Sequence, residues 1–572
     1  MNNRWNNWSV ILFLSFLSAI IIFRQFTTAG YFSRSENDTL IYATWAWQFT
    51  EALKEGIIYP RWMHLNFWGY GSPTFLVYPP LVFYLVAFFN LFAPSIVTAM
   101  KITKLTALFL SATGMFFLVQ EYYPKKIAIL TSAYYIVFPY TVSGIYLSGA
   151  FVSMISFMWF APIVLFINRY LNYGQFHYVI LAGVFFGGLI LTHLINAYMF
   201  ALVILTFIIY MSINRGTPKD LIAIPLIIVI GLLTSAAYLL PLIYERRFIN
   251  TDAFIDTHFA DFFILPNLTS KLSSDHFWRA GYDDLLFYIL FVSIIIFLGY
   301  FCIARIRQIK TMRNVNKVNN FFLVTSIFCI FLLFGISSFV WKTVPFFKYF
   351  QFPVRWLNIN AFAVIFLSAP LFWVLGSVYR NRRGYRFFAV LLILTSLLLS
   401  YNLILDYRYI RYAHIFAIEK ILDSLEVGYP TKEHLPIGVE IDKINKHGSK
   451  EKVVVTEGEG DYKVVKWESA KRIVEITANR PLILRIRTFN FPGWTAHIDG
   501  VQTEIKTEKG MGAMLIDIAP GKHMLILKFV DTPIVYYSKI ISLASFSCII
   551  ILVIFQKRKT YGHKRELDNK LI

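Results

Sequence analysis

Cysteine is scarce in this sequence of 572 residues. The three cysteines, Cys302, Cys329 and Cys548, all fall inside apolar runs. They form no Cys-x-x-Cys pair and no metal-ligand spacing, so neither a disulfide framework nor a cysteine-based metal site is expected. So few cysteines do not indicate the redox compartment in which the protein works.

Charged residues are also few. They make up 15% of the chain, whereas about a quarter is usual for soluble proteins. By contrast, 57% of the residues are hydrophobic and 18% are aromatic. Apolar runs of about 20 residues, the length that crosses one bilayer, recur from end to end. The composition therefore predicts a polytopic α-helical membrane protein that has the lipid bilayer as a partner.

Acids are scarcer than bases, and the formal net charge is +21. The basic residues lie mostly in short loops between apolar runs, where they set topology and attract anionic headgroups, so nucleic-acid binding is not expected. The sequence lacks a Gly-x-x-x-x-Gly-Lys-Ser/Thr motif, so nothing supports an ATP-driven pump. The apolar runs hold few acids, which argues against a proton- or sodium-coupled carrier.

The placement of the basic loops predicts twelve crossings with both termini in the cytoplasm. Basic segments near 305–317, 380–383 and 557–565 are expected inside. Counting back from them leaves three longer segments outside, at 244–284, 341–356 and 406–532. The first apolar run, 10–23, has a weak basic flank and no small-residue cleavage site, which predicts an uncleaved anchor.

The apolar stretch 81–92 conflicts with this count. If the first run leads outward, 81–92 cannot also cross, because the parity of the later loops would fail. It follows Tyr78-Pro79-Pro80 and holds only about twelve strongly apolar residues, which is short for a span. We interpret it as a helix in the outer interface. The alternative is a thirteenth crossing with one loop assigned to the wrong side.

Three regions follow from this pattern: a membrane domain at 1–405 with a first outer loop at 26–100, an external domain at 406–532, and a last crossing with a basic tail at 533–572. From residue 451 onward, short runs alternate between apolar and polar residues. Asp499-Gly500 and Pro520-Gly521 fall between such runs and are typical of hairpin turns. The external domain is therefore predicted to be antiparallel and sandwich-like.

Glu36 and Asp38 are the first candidate site residues. They lie two positions apart, just after the first crossing. Two carboxylates there would suit a divalent cation such as Mg²⁺ or Mn²⁺, or one would act as a general base toward an acceptor hydroxyl. The alternative is a solvated helix end.

The segment 59–80 is too rich in aromatic residues, glycine and proline to form a regular span. Within it, Arg61 and His64 are candidates to contact a phosphate or a sugar, whereas the aromatic residues suit an interfacial anchor.

Other candidates lie at the outer ends of later crossings. Arg355, in a Phe-Gln-Phe-Pro-Val-Arg-Trp segment that also holds Gln351, is costly at membrane depth unless it is paired or faces water. Its guanidinium would clamp a phosphate, or it would snorkel to headgroups. Lys101 is a further phosphate candidate. His193 lies in a tight outer turn, where a lone histidine is more often a packing residue than a catalyst.

Several of these segments together resemble a known family. The acidic pair is followed by Tyr-Pro-Arg-Trp and then by Gly-Tyr-Gly-Ser-Pro-Thr-Phe with Tyr-Pro-Pro-Leu at 69–81. With the 350–356 segment and the Asn-Phe-Pro-Gly-Trp hairpin at 490–500, this is similar to bacterial and archaeal membrane proteins labelled "6-pyruvoyl-tetrahydropterin synthase-related domain". The chain also looks like a member of the GT-C superfamily of glycosyltransferases. The pterin label implies no pterin chemistry, because the dispersed histidines supply no three-histidine zinc site.

The resemblance implies a GT-C-like fold of about twelve helices. It implies transfer of a sugar, with inversion, from a polyprenyl-phosphate donor to an extracytoplasmic glycan, lipid or protein acceptor, at the plasma membrane. Asp38 matches the catalytic or metal-binding acid, with Glu36 beside it. Arg61, His64, Lys101, His193, Gln351 and Arg355 are the candidates for donor-phosphate or substrate binding.

One departure from the family pattern leaves alternatives open. Relatives often have Arg-Gly-Ala followed by an acid near the outer end of the third crossing, where this chain has Ser148 and Ser153 in place of the two charges. The missing charges support one rival interpretation, a non-catalytic envelope assembly protein. A lipid-linked-glycan transporter or flippase is the other rival.

Overall fold

The computed structural model describes residues 6–27, 36–146, 150–250, 263, 289–300, 313–376, 383–405, 432–448 and 451–570. Within these ranges the side chains of residues 36–39 are among those not described. The prediction that 406–431 belongs to the external domain lies outside the described residues.

The described part of the chain that precedes residue 406 is mostly helical, because a chain in lipid must satisfy its backbone polar groups internally. Its helices are α1 (Asn7–Phe26), α2 (Glu36–Lys54), α3 (Thr74–Val77), α4 (Leu81–Asn90), α5 (Ile96–Gln120), α6 (Lys125–Val137), α7 (Pro139–Tyr146), α8 (Phe151–Ser156), α9 (Phe160–Tyr173), α10 (Phe176–Thr192), α11 (Leu194–Arg215), α12 (Ala223–Thr234), α13 (Ala236–Glu245), α14 (Ile289–Tyr300), α15 (Arg313–Phe331), α16 (Ser338–Thr343), α17 (Leu357–Gly376) and α18 (Arg383–Leu405). Two more helices follow, α19 (Ile441–His447) and α20 (Pro533–Lys570).

Within the described residues, seven helices are long and apolar enough to cross a membrane, or up to nine if each of two bent pairs counts as one span. Shorter apolar helices at α10, α14 and the 390–405 part of α18 coincide with the apolar runs near 177–191, 285–304 and 386–404, which are among the twelve predicted crossings. A membrane protein with seven or more apolar helices is therefore confirmed. The number twelve stays a prediction.

Two of the twelve predicted crossings, those near 221–243 and 320–340, are bent sharply. The chain turns by 81° between α12 and α13 and by 96° between α15 and the α16 segment. At the first bend the Ser235 hydroxyl donates to the Gly231 carbonyl at 2.7 Å, a side-chain bond of the kind that bends helices. At the second, the Leu332 carbonyl accepts from the Trp341 indole at 3.3 Å. Neither bend leaves a trace in the hydrophobic pattern.

Helix α4 agrees with the interpretation of 81–92 as a helix that does not cross. It has ten residues, which is a length of about 15 Å against about 30 Å of hydrocarbon. One side is buried, with Val82, Phe83 and Val86 at 0% exposure. The end of the helix exposes Phe88 and, just beyond it, Phe92.

The C-terminal region forms an antiparallel β-domain of two sheets. Its strands are β1 (Val453–Glu457), β2 (Gly460–Trp467), β3 (Lys471–Ala478), β4 (Leu482–Phe489), β5 (Trp494–Ile498), β6 (Val501–Thr503), β7 (Lys506–Thr507), β8 (Ala513–Ile518) and β9 (Gly521–Phe529). One sheet has the order β1-β4-β8-β7 and the other β2-β3-β9-β5-β6. The hairpin turn predicted at Asp499-Gly500 is confirmed, because it joins the paired strands β5 and β6. The prediction of a hairpin turn at Pro520-Gly521 is wrong, because this segment connects β8 to β9, which lie in different sheets. The inward side chains of the two sheets share one core.

The segment 59–80 is the seam between the membrane domain and the β-domain. Its aromatic side chains Trp62, Phe67 and Tyr70 are buried in the core of the β-domain. Phe67, Trp68 and Gly69 all have positive φ, and a Cβ at Gly71 (φ +80°) would meet the Trp62 indole at 2.4 Å. The glycines therefore serve a tight left-handed loop whose backbone passes close to Trp62.

Arg61 fixes this seam electrostatically. Its guanidinium, 3% exposed, lies 3.4 Å from the Glu245 carboxylate at the end of α13 and 3.6 Å from Asp531, which precedes α20. It also donates to the Val530 carbonyl at 3.1 Å and stacks over Phe529. A single buried cation thus joins the first loop, α13 and the end of the β-domain.

We expect Arg61→Ala to lower the free energy of unfolding by about 3–5 kcal/mol, because it leaves Glu245 buried without its cation. Arg61→Lys should recover only part of the loss, since an ammonium cannot reproduce the planar fork of donors. Thermal unfolding of the purified protein followed by tryptophan fluorescence measures the effect. Arg480→Ala, at an exposed position of the β-domain, is the control. Equal melting temperatures for both alanine variants would contradict the assignment.

A titratable pair connects the turn of the β5–β6 hairpin with β9. His523 Nδ1 lies 2.7 Å from Asp499, whose hydrogen bond raises the histidine pKa above its ordinary value of 6.5. The pair should therefore stabilise the fold below pH 6.5, and this contribution should be lost as the pH rises through the folded-state pKa. An NMR titration of His523 should give a midpoint above 6.5 that falls in Asp499→Asn. An unchanged midpoint in that variant would show that Asp499 is not the cause.

Candidate functional site

Helix α2 begins at Glu36, so Glu36 and Asp38 occupy its first turn. Position 38 lies on the same helix face as Tyr42 and Trp45, four and seven residues further on. That face packs toward α4 and the 59–80 segment on the side of the membrane domain that carries the β-domain. We call this side the β-domain face.

An aromatic cluster continues the α2 face. It consists of Tyr42, Trp45, Tyr78, Phe151 and His434. The hydroxyls of Tyr42 and Tyr78 are 2.9 Å apart, and the Tyr42 ring lies 6.2 Å from that of Phe151 at the start of α8. His434 packs 5.3 Å from Trp45. Burial lowers the pKa of His434 to about 3, so this imidazole is neutral at physiological pH.

A polar knot lies beside this cluster. It comprises Tyr140, Ser153, Ser156, Asn196 and Asn358, from α7, α8, α11 and α17. Asn196 Nδ2 donates to Ser156 at 2.7 Å and to Ser153 at 3.1 Å. Asn358 Nδ2 donates to Asn196 Oδ1 at 2.9 Å, and Asn358 Oδ1 accepts from the Tyr140 hydroxyl at 2.6 Å. Ser153, at the position where relatives often have an acid, is therefore held in a hydrogen-bonded network among four helices.

Two lysines are buried at the start of α5. Lys101 is 2% exposed and Lys104 is 0% exposed. Lys104 Nζ donates to the Ile145 carbonyl at 3.1 Å, which places it at the end of α7, just before the 147–150 connection to α8. A cation so deeply buried near the end of a membrane helix is typical of a substrate or ion site.

Arg355 and Gln351 contact each other. Arg355 Nη1 donates to the Gln351 side chain at 2.6 Å and to the Phe350 carbonyl at 2.9 Å. Gln351 has φ of +60°, a left-handed backbone that costs energy in a non-glycine residue. In the turn between α10 and α11, burial and then the Arg355 guanidinium lower the pKa of His193 to about 3. Three predicted residues thus meet near the polar knot.

Arg61 and His64 lie elsewhere, in the seam. Burial and then the Arg472 guanidinium lower the pKa of His64 to about 3, so it is neutral. Arg61 is engaged by Glu245 and Asp531. Binding of a donor phosphate by either residue stays a prediction, but their contacts are those of residues that dock the two domains.

Sequence reasoning missed His434, Asn358 and the knot as a whole. The only available signal was polar side chains at the ends of apolar runs, and their mutual contacts depend on the packing of helices far apart in sequence. The described side chains contain no group of three His, Cys, Asp or Glu residues able to hold a metal ion. The side chains of Glu36 and Asp38 lie outside the described residues, so their metal role stays a prediction.

We expect Asn358→Leu to destabilise the protein by about 1–3 kcal/mol, because it removes the hydrogen bonds that Asn358 makes with the buried Asn196 side chain and with the half-buried Tyr140 hydroxyl. Asn402→Leu, at an exposed position of α18, is the matched control and should be near neutral. Thermal melting of both variants in the same detergent measures the difference. If Asn358→Leu has the same melting temperature as the wild type, the knot contributes no stability.

Among solved structures, the chain is similar to the oligosaccharyltransferase of the archaeon Archaeoglobus fulgidus in its apo form. The identity is 12%, the TM-score is 0.45, and the match covers 76% of this chain and 61% of that one. A structure of the same enzyme, AglB, with an inhibitory peptide and a dolichol-phosphate, matches at 13% identity and a TM-score of 0.43, over 70% of this chain and 56% of that one. The chain thus spans less than two thirds of these proteins. TM-scores below one half establish neither a common fold nor a common activity.

None of the curated proteins with which the sequence was compared matches it. A family model, described as a 6-pyruvoyl-tetrahydropterin synthase related domain of membrane proteins, matches residues 75–410. This is more than half of the chain and includes α4, the buried lysines, the polar knot and Arg355. The chain therefore belongs to the 6-pyruvoyl-tetrahydropterin synthase related domain family of membrane proteins.

Proposed function

We propose that the protein is an inverting GT-C-type glycosyltransferase that moves a sugar from a polyprenyl-phosphate donor to an acceptor outside the cytoplasm. The observation that carries the proposal is the convergence at the β-domain face. There the first turn of α2, with Glu36 and Asp38, lies next to α8 through the contact of Tyr42 with Phe151. The helix turn that carries Glu36 and Asp38 is thus close to the helix that contributes Ser153 to the polar knot, which supports the proposal.

Asp38 is the proposed general base, and Glu36 is its partner. The acceptor oxygen attacks the anomeric carbon, the bond from that carbon to the phosphate oxygen breaks, and polyprenyl phosphate leaves. The proton of the acceptor hydroxyl passes to the Asp38 carboxylate. Attack from the face opposite the leaving group inverts the configuration at the anomeric carbon.

The donor phosphate would lie at two cations, the buried Lys101 and the half-buried Arg355. Lys101, in the first turns of α5, and Arg355, at the start of α17, both lie where the helices begin at the β-domain face. An anionic phosphate near them would offset the cost of keeping them out of water. Gln351 and His193 contact or neighbour Arg355 and would position it.

A divalent cation is part of the proposal in one respect. Glu36 and Asp38 would supply two carboxylates, and Mg²⁺ is commonly held by one or two carboxylates together with substrate phosphate and water. Such an ion would neutralise charge that develops on the leaving phosphate.

The proposed location is the plasma membrane, with both termini in the cytoplasm and the β-domain face outside. The support is the basic residues in the predicted cytoplasmic loops and tail. A donor carried on a polyprenyl chain would reach the cations laterally from the bilayer.

A non-catalytic assembly protein is the second candidate. The observation in its favour is Ser153, whose hydroxyl accepts from Asn196 and Asn358 in place of an exposed acid. Such a protein would keep the helices and the β-domain but form no glycosidic bond.

We expect Asp38→Asn to lower the rate of sugar transfer by about a hundred- to ten-thousandfold, the usual contribution of a general base. The measurement is mass analysis of acceptors after incubation of the purified protein with polyprenyl-phosphate sugars. Asp442→Asn, an exposed acid of the β-domain region, is the matched control and should keep full activity.

Three outcomes separate the candidates. Transfer by the wild type and the control, but not by Asp38→Asn, supports the transferase. Movement of a labelled lipid carrier across liposomes without a new glycosidic bond would indicate a flippase. Absence of both activities would favour the assembly role, and full activity of Asp38→Asn would refute the assignment of the base.

A further inference from the structure

We infer that the β-domain carries a binding site for a neutral saccharide, in a groove between β5, the β6–β7 connection and Phe248 of the membrane domain. The inference rests on the proposed transferase function, because the saccharide is taken to be part of the acceptor. It adds a second contact for that acceptor, away from Asp38.

The groove has the size of a small-ligand site. Its volume is about 480 Å³, within the range of about 300–1,000 Å³ that is usual for such sites. Its polar lining is formed by the side chains of Asn490, Thr495, Gln502, Thr503 and Glu504. Amides and hydroxyls offer both donors and acceptors, which is what a ring of sugar hydroxyls requires.

The apolar wall of the groove is held rigidly. Trp494, 7% exposed, is packed edge-on against Trp62 at 5.7 Å and lies under the Arg472 guanidinium at 5.1 Å. Its indole nitrogen is buried and donates to no described residue. Phe248 closes the other side and lies 6.4 Å from Phe491. A fixed aromatic wall beside convergent polar groups is the usual construction of a ligand pocket.

The charge of the lining selects among ligands. Glu504 is the one charged residue among those that line the groove, and no lysine or arginine is among them. A phosphate or an acidic sugar would meet a carboxylate without a compensating cation, which costs binding energy. The lining therefore favours an uncharged saccharide.

The position of the groove fits an acceptor that passes over the membrane. Phe248 follows α13 directly, and its carbonyl accepts from Ile437 at 3.0 Å, which fixes it to the chain that enters the β-domain. Asn490 is held by its bond to Thr507 at 2.8 Å. The groove thus spans both domains and does not need a rearrangement to form.

A peptide is the competing ligand, because β6 and β7 are each the last strand of their sheet. Such an edge accepts an added strand. The polar side chains of the groove, rather than the strand edge, should carry saccharide binding, so side-chain substitutions distinguish the two.

The test is saturation-transfer NMR on the full-length protein in lipid nanodiscs, with cellobiose, chitobiose and mannobiose as probes and tetra-alanine as the peptide. At least one disaccharide should bind. Gln502→Ala and Glu504→Gln should each weaken that binding about tenfold, the effect of one lost hydrogen bond in such a site. Asn479→Ala, an exposed amide outside the groove, should bind as the wild type does.

Binding by none of the disaccharides, equal binding by the wild type and the groove variants, or binding of the peptide alone would overturn the inference. Asp38→Asn separates this failure from failure of the proposed function. It should bind the disaccharide normally while it loses transfer. If Asp38→Asn loses transfer while the groove variants bind disaccharide as the wild type does, the proposed function stands and the groove site is refuted. If the disaccharide binds at the groove but the wild type transfers no sugar, the groove site stands and the proposed function is refuted.

Discussion

The ion pair between Arg61 and Glu245 is the interaction on which the relation of the two domains depends. Both side chains are almost fully buried, so each would be strongly unfavourable without the other. Around this pair the 59–80 loop inserts Trp62 and Tyr70 into the core of the β-domain. The same loop contacts α2, because Asn66 accepts from Gln48 at 2.9 Å. The seam therefore also holds α2, on which Glu36 and Asp38 lie.

The candidate site is built from residues close together in one helix and from side chains that distant segments bring together. Glu36 and Asp38 come from one helix turn, and the aromatic cluster further along that helix comes from four separate segments, of which α2 is one. The polar knot connects four helices through neutral side chains, which in a membrane act as interhelical contacts of about 1 kcal/mol each. Arg355 and His193 adjoin it. Arg355 itself donates to two neutral groups, the Gln351 side chain and the Phe350 carbonyl.

Local patterns predicted the regular elements well, because alternation and turn residues are encoded within a few positions. The strands around Asp499-Gly500 illustrate this, since both residues adopt the left-handed conformation that a two-residue hairpin turn requires. Strands β6 and β7 were missed because two or three residues show no period. The bends after α12 and α15 were missed because the hydrophobic pattern carries no signal for the side-chain hydrogen bonds found there.

The site was less predictable for a related reason. Arg355 and Lys101 were selected as candidates because a cation near the end of an apolar run is conspicuous, and their roles stay predictions. Arg61 was also found, but as a phosphate-binding candidate, because its partners Glu245 and Val530 lie 184 and 469 residues away in the chain. His434 carries no local signal. Its contacts with Trp45 of α2 and with Thr74 of α3 arise from tertiary packing.

The long separation between Arg61 and Val530 has a consequence for biosynthesis. At about 5–20 residues per second, a ribosome needs about 25 to 90 seconds to make the 469 residues between them. During that interval Arg61 and the aromatic side chains of the first loop cannot make their final contacts, because β9 and the start of α20 have not yet been synthesised. The most characteristic segment of this sequence is thus made early in translation and is among the last to reach its final structure.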